Sequence, residues 1–187
     1  DFVCTVRYTL DGASLKKEHI TENRSDTAMY YEVGGHDGYT LCWEDGEQVT
    51  DYYVAFAGTD KLCRIVTDEA VMLTEERTGV PLENGRLPLS RALFANDAVM
   101  TEGLPVRRAT IGCTKNSRSV TMDFTDFDYF AVWSPYKDTA APFVCLEPWS
   151  TLPDGLYLDH AIENKVGVRV LQPGRSETLA FTTTVSE

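Results

Sequence analysis

The chain has 187 residues, and 17 Lys and Arg against 29 Asp and Glu give it a formal net charge of −12. With 43% hydrophobic and 25% charged residues, the composition is that of a globular protein and excludes a disordered or collagen-like chain. The acidic balance disfavours nucleic acid and anionic membrane surfaces as partners, because both attract clustered Lys and Arg. No apolar run approaches the roughly 18 residues that a membrane-spanning helix needs.

Short runs of β-branched and aromatic residues, separated by turn signals, follow one another along the chain. The first two predict a hairpin, in which strands over 2–8 and 14–22 flank the turn residues Asp11-Gly12. Helical periodicity is confined to a short turn near Leu89–Ala95. The pattern predicts an all-β sandwich or barrel in a single domain over 1–187. Further strands are predicted at 39–43, 52–56, 62–66, 106–111, 120–124, 129–133, 143–146, 166–171 and 177–185.

The chain begins with Asp1, directly before a strand-like run, whereas a natural N-terminus usually starts with a looser segment. We therefore expect upstream strands of the same gene product to be missing from this sequence. No charged-then-apolar leader is visible, so we expect no signal peptide.

Five cysteines stand at positions 4, 42, 63, 113 and 145. Their number is odd and no two form a CxxC pair, so we expect neither a disulfide framework nor a metal site. Several lie in apolar runs, which predicts buried free thiols in a reducing cytoplasm.

The chain has three histidines, of which His36 is notable because Gly34 and Gly35 precede it. Paired glycines allow backbone torsions and close approaches that other residues do not. On its own this tripeptide favours a turn with an incidental histidine over an imidazole presented on a sharp loop. We expect His19 to lie on a solvated strand face and His160 to be structural or exposed.

Glu147 follows the apolar run 143–146 and precedes Pro148 and Trp149. We expect the strand to end here, because Pro148 cannot donate to a β-ladder. The carboxylate then either reaches solvent or points into a pocket beside Trp149. In a pocket, apolar surroundings would raise its pKa and suit it to general base catalysis near neutrality. The local residues leave both interpretations open.

Asn96-Asp97, within the segment 93–98, is a third candidate. A turn is the favoured interpretation of this dipeptide. The alternative is that its side chains accept hydrogen bonds from a polyol.

Taken in order, these segments resemble the aldose 1-epimerase (galactose mutarotase) family, and in particular its LacX-like branch. The most specific similarity is the segment 142–149, which ends in Glu147-Pro148-Trp149. The other matching segments are 23–29 with Gly34-Gly35-His36, 93–99, Trp133-Ser134, 165–167 and 171–174.

The resemblance implies a galactose-mutarotase-like β-supersandwich, of which this chain is the C-terminal part. It also implies a sugar ligand in a cleft on the concave sheet, with Glu147 as general base and His36 as general acid. Asp97 is the nearest match to an acidic residue that binds sugar hydroxyls. The reaction implied interconverts the α and β anomers of a hexose and requires no metal or other cofactor.

Two departures from the family pattern bear on this hypothesis. Asp37 follows His36 where the family usually has proline, and its charge would raise the pKa of the imidazole. The family also carries an Arg and a second His upstream, which have no counterpart in this chain. A carbohydrate-binding protein without catalysis therefore remains the alternative. An epimerase of phosphorylated hexoses is a weaker third option, because no Lys and Arg cluster lies near the motifs.

Overall fold

The computed structural model describes residues 1–135 and 142–187, and these form an antiparallel all-β structure. Its helical segments are three short 3₁₀ turns, Val49–Asp51, Arg91–Phe94 and Ile162–Asn164. In the described part of the chain, therefore, no helix is long and apolar enough to cross a bilayer. The strands are β1 Phe2–Asp11, β2 Ser14–Asn23, β3 Met29–Tyr31, β4 Asp37–Thr40, β5 Tyr52–Phe56, β6 Lys61–Thr67, β7 Leu73–Pro81, β8 Arg86–Pro88, β9 Val99–Glu102, β10 Arg108–Cys113, β11 Ser119–Asp123, β12 Tyr129–Trp133, β13 Phe143–Trp149, β14 Arg169–Leu171 and β15 Ser176–Ser186.

Two large sheets and one strand pair account for the fifteen strands of the described residues. The seven-stranded sheet has the order β1-β2-β15-β11-β10-β5-β8, and the six-stranded sheet has the order β4-β13-β12-β9-β6-β7. The pair β14-β3 stands apart. This architecture confirms the all-β sandwich that the sequence predicted.

The main core lies between the two large sheets, because alternate side chains of each strand point toward the other sheet. Val54 and Ile111 from the seven-stranded sheet are fully buried in one cluster with Val132 and Leu146 from the six-stranded sheet. Within it the rings of Phe124 and Phe130 stack with their centroids 4.2 Å apart.

The six-stranded sheet is also covered on its other face. Here Met100, Ala131 and Ile65 are buried in a second, smaller cluster with Leu152 of the loop that follows β13. Burial on both faces explains why the centre of β12 reads as a continuous apolar run rather than as an alternating strand.

The sequence predicted β5 and β12 with their observed bounds, and it predicted the β1–β2 hairpin. It missed β3, β7, β8 and β9, which are short or rich in charged and small residues. The strand predicted at 39–43 was wrong in its bounds, since β4 ends at Thr40.

The expectation that His19 faces solvent was wrong. Its side chain is 8% exposed, and its ring stacks on Phe181 with the centroids 6.0 Å apart. His19, Thr21 and Asn23, on alternate positions of β2, are all buried, so this face of the strand is covered.

The hairpin β1–β2 forms one end of the seven-stranded sheet, with β1 outermost. Large apolar side chains on alternate positions of β1 are exposed, among them Phe2 at 62%, Tyr8 at 61% and Leu10 at 75%. This strand is therefore an uncovered apolar edge of the described structure.

Candidate active site

β13, the second strand of the six-stranded sheet, carries Glu147 on the face away from the main core. Leu146 points into that core, whereas Cys145 and Glu147 share the opposite face because strand side chains alternate. Glu147 lies opposite Ala131 of β12, and its side chain is only 2% exposed.

The strand does not end at Glu147, as the sequence predicted, but continues through Pro148 to Trp149. The carbonyl oxygen of Pro148 accepts a hydrogen bond of 2.9 Å from the backbone N–H of Gly35. The nitrogen and carbonyl of one strand residue face the same side, so the missing N–H of Pro148 faces this loop. The ladder to β12 is therefore intact.

The loop that carries His36 is tied to the end of β13. Gly34 forms an isolated antiparallel bridge with Trp149, and the backbone N–H of Ser150 donates to the carbonyl of Val33 over 2.9 Å. A Cβ atom on Gly34 would lie 2.9 Å from the Pro148 carbonyl oxygen, so a side chain does not fit there. Gly34 is thus required by close backbone approach.

This loop brings the imidazole of His36 to the buried carboxylate. His36 Nε2 lies 3.3 Å from Glu147 Oε1, and the side chain of His36 is 63% exposed. The edge of the imidazole meets the ring of Trp133 at a centroid distance of 5.8 Å. Glu147 Oε1 has no hydrogen-bond partner among the described residues, so it is available to a ligand hydroxyl.

The surroundings of Glu147 change its acidity. Burial, followed by the negative charge of Asp97, raises the pKa of Glu147 to about 7, while a hydrogen bond with the Trp149 side chain acts in the opposite direction. A carboxyl group with this pKa exchanges its proton readily near neutral pH.

Asp97 stands two residues before β9, in the turn that leads into this strand of the six-stranded sheet. Its φ of 63° lies in the left-handed region, where a residue with a side chain needs support from its neighbours. The support comes from Arg64 of β6, whose Nη2 donates to the carbonyl oxygens of Asn96 and Ala98 over 3.4 Å each. The sequence identified Asp97 only as a candidate, and nothing near Arg64 in the sequence indicates this role.

Two cavities border these groups. One of about 360 Å³ lies beside His36 and Trp149 and is also lined by Leu152 and Lys165. The other, of about 760 Å³, lies beside Arg64 and Asp97.

The remaining titratable candidates do not join the site. The carboxylate of Asp37 forms an ion pair with Lys17. His160 is exposed and hydrogen bonded to Asp154 over 2.7 Å, as expected of a structural or exposed histidine.

Cys145 is a site residue that the sequence reasoning missed. One donor atom from each of His36, Cys145 and Glu147 lies within 4.8 Å of the other two, so this set could hold a metal ion. Burial, with the nearby charges of Glu147 and Asp37, raises the pKa of the Cys145 thiol to about 12. Cys145 lies two residues before Glu147 in the same strand, which places both side chains on one face. This spacing is the sequence signal that could have identified it.

All five cysteines are free, as predicted, but their predicted burial holds only in part. Cys113 and Cys145 are buried, whereas Cys4 and Cys63 are exposed.

Comparisons with known proteins agree on one family. The chain is 30% identical over 177 residues to protein LacX of Lactococcus lactis, in an alignment that covers 92% of this chain and 58% of LacX. A galactose mutarotase related enzyme from Lactobacillus acidophilus is 30% identical and superposes with a TM-score of 0.91, covering 100% of this chain and 62% of the other. The chain belongs to the galactose mutarotase-like family.

A galactose mutarotase-like protein from Lactobacillus casei shares the fold at a TM-score of 0.84 and 22% identity, covering 99% of this chain and 63% of the other. No family model matches the sequence. The chain spans about three-fifths of the length of LacX and of both solved structures.

Proposed function

We propose that the protein interconverts the α and β anomers of an aldohexose by general acid–base catalysis, with Glu147 as the base and His36 as the acid. The observation that carries the proposal is the 3.3 Å approach of His36 Nε2 to Glu147 Oε1, between residues on separate strands and loops. Membership of the galactose mutarotase-like family supports it.

The proposed reaction needs one proton acceptor and one proton donor. Glu147 takes the proton from the anomeric hydroxyl while His36 gives one to the ring oxygen, and the bond between C1 and the ring oxygen breaks. After rotation about the C1–C2 bond, His36 takes the proton back from the ring hydroxyl and Glu147 returns its proton to the aldehyde oxygen. The ring closes on the other face, and both residues regain their starting states.

The exposure of the two side chains suits these roles. The pyranose has to enter between the acid and the base, so one of them has to move. His36 is exposed and lies on a loop, whereas Glu147 is buried within β13. We therefore propose that the His36 side chain moves to admit the sugar, while the Glu147 side chain keeps its position.

Asp97 is proposed to accept hydrogen bonds from sugar hydroxyls. It lies close enough to Glu147 for its charge to raise the pKa of that carboxyl. A sugar bound between them would present its polar edge to Asp97 and its anomeric centre to Glu147.

The test is the rate of anomer exchange in freshly dissolved α-glucose and α-galactose, followed by polarimetry or NMR. We expect the wild-type protein to accelerate exchange and Glu147→Gln to reduce the catalysed rate by about 10²-fold or more. His160→Asn, at an exposed histidine outside the site, is the matched control and should leave the rate unchanged. A Glu147→Gln rate within a few-fold of wild type would refute the assignment of the base.

The second candidate is a carbohydrate-binding protein without catalysis. It is supported by membership of the galactose mutarotase-like family, because a shared fold does not by itself establish catalysis. Saturation-transfer NMR that detects sugar binding, together with an unaccelerated exchange rate, would support this candidate over the first.

We propose further that an upstream segment of the same gene product completes this single domain by covering β1. The support is the exposed apolar face of β1, which carries Phe2, Tyr8 and Leu10, and the partial coverage of the relatives. Intact-mass spectrometry of protein from its native source should show a species heavier than 20.9 kDa or a second bound polypeptide. A monodisperse species of that mass alone would contradict the proposal.

The cytoplasm is the compartment we propose. All five cysteines are unpaired, which is the expected state in a reducing environment.

A further inference from the structure

We propose that His36, Cys145 and Glu147 also bind a divalent ion of the zinc type in the sugar site. The set offers an imidazole nitrogen, a thiol sulfur and a carboxylate oxygen, all within 4.8 Å of one another. Mixed nitrogen, sulfur and oxygen donors favour zinc over magnesium and calcium, which prefer oxygen ligands alone.

The geometry requires little rearrangement. At ordinary zinc–ligand bond lengths, tetrahedral ligands lie about 3.3–3.6 Å from one another. His36 Nε2 and Glu147 Oε1, at 3.3 Å, already meet this spacing. From a separation of at most 4.8 Å, the sulfur of Cys145 has to approach by roughly 1 Å.

Two of the three proposed ligands are held in place by the sheet, and the third lies on an exposed loop. Cys145 and Glu147 project from the same face of β13 and are held by β12, so two ligands are preorganised. His36 is exposed, so it leaves an entry path and can adjust its ring to the ion. Three protein ligands leave a fourth position open to water.

A second observation also points to a ligand at this position. Glu147 Oε1 is buried and has no hydrogen-bond partner within the described parts of the chain. A buried carboxylate oxygen without a partner is costly, and a cation would satisfy it. On binding, the thiol of Cys145 releases its proton to solvent and the sulfur binds as the thiolate.

A bound ion would occupy the two groups to which we assign catalysis. Zinc should therefore compete with sugar, and this consequence alone rests on the proposed function. The metal site itself is tested without any sugar present.

The probe is Co²⁺, added to the reduced background protein with Cys4→Ser and Cys63→Ser, which removes the exposed thiols. We expect a thiolate-to-cobalt charge-transfer band in the near ultraviolet that saturates at one equivalent. Cys145→Ser should abolish the band, and Cys113→Ser, at the other buried cysteine, should retain it.

His36→Asn provides a test that does not depend on the folding of a core variant, because this side chain is exposed. Loss of even an outer-sphere partner weakens metal affinity by roughly 10- to 100-fold, so loss of this direct ligand should weaken Co²⁺ binding at least that much. The absence of the band in the background protein, or its persistence in Cys145→Ser, would overturn the proposal. A protein that shows the band but no anomer exchange would retain the metal site and lose the proposed function.

Discussion

Gly34 pairs with Trp149 through an isolated bridge, and this contact holds the loop of His36 against the strand of Glu147. The glycine is required for the contact, because a Cβ atom would lie 2.9 Å from both the Pro148 carbonyl oxygen and Trp149 Cδ1. One short backbone contact therefore sets the distance between the two groups of the candidate site.

Gly34→Ala should consequently impair both stability and activity. Overpacking of this kind costs about 1–3 kcal/mol, and a displacement of about 1 Å at a catalytic group lowers rates by as much as about 10²-fold. Urea denaturation and anomer-exchange rates measure the two effects. Gly79→Ala is the matched control, since a Cβ atom on that strand glycine meets no heavy atom within 4 Å. Equal behaviour of the two variants would show that the bridge does not position His36.

Arg64 is expected to act as a positioning residue through the turn of Asp97, whose flanking carbonyl oxygens it binds. Arg64→Met should raise KM for the sugar by roughly tenfold, equivalent to about 1.4 kcal/mol, with a smaller change in kcat. Steady-state kinetics of Arg64→Met, Asp97→Asn and the double variant measure the coupling. Additive effects would argue that Arg64 acts independently of Asp97.

Arg118→Met is the control for the removal of a positive charge. Arg118 forms a solvent-exposed ion pair with Glu44, and such pairs contribute little to stability. Its KM should equal that of the wild type.

The contribution of His19 to the stability of the fold should fall as the pH drops below about 6.5, the ordinary pKa of histidine. Burial, and then the positive charge of Lys17, lowers the pKa of His19 in the folded protein. The unfolded chain therefore binds the proton more tightly, and acid favours unfolding. Between pH 7.5 and pH 5.5 the unfolding free energy of the wild type should therefore change less favourably than that of His19→Leu, as measured by urea titration at both pH values. His160→Asn, which removes an exposed histidine, should follow the wild-type curve.

Asn23 joins the end of β2 to β14, and its replacement should destabilise the protein. Its amide donates to the carbonyl oxygens of Thr27 and Leu171 over 2.8 Å each, and its oxygen accepts from the backbone N–H of Ser25 over 2.9 Å. Each buried partner left unpaired costs about 1–3 kcal/mol, so Asn23→Ala should lower the melting temperature by several degrees.

Asn23→Asp distinguishes the hydrogen bonds that the Asn23 side chain donates from the one that it accepts. The carboxylate still accepts a hydrogen bond but has neither of the two N–H donors. We expect it to destabilise the fold nearly as much as Asn23→Ala. A wild-type melting temperature for either variant would show that the carbonyl oxygens of Thr27 and Leu171 find other donors.

The sequence alone was sufficient for the elements whose signals are local. The alternation in β1, the turn at Asp11-Gly12 and the apolar run of β12 predicted strands that the structure contains. Pattern reasoning failed at β7 and β9, because their pairing in the six-stranded sheet, rather than their residue preferences, makes them strands.

Some residues of the candidate site could likewise be identified from the sequence, and others only from the structure. Glu147, His36 and Asp97 were identifiable from residue type and motif resemblance, and the paired glycines marked the loop as unusual. Only the tertiary structure brought the imidazole to the carboxylate, added the Cys145 thiol and the Arg64 guanidinium, and buried His19. These relationships depend on which strands become neighbours, and that choice minimises the exposed apolar surface of the whole chain rather than of any one segment.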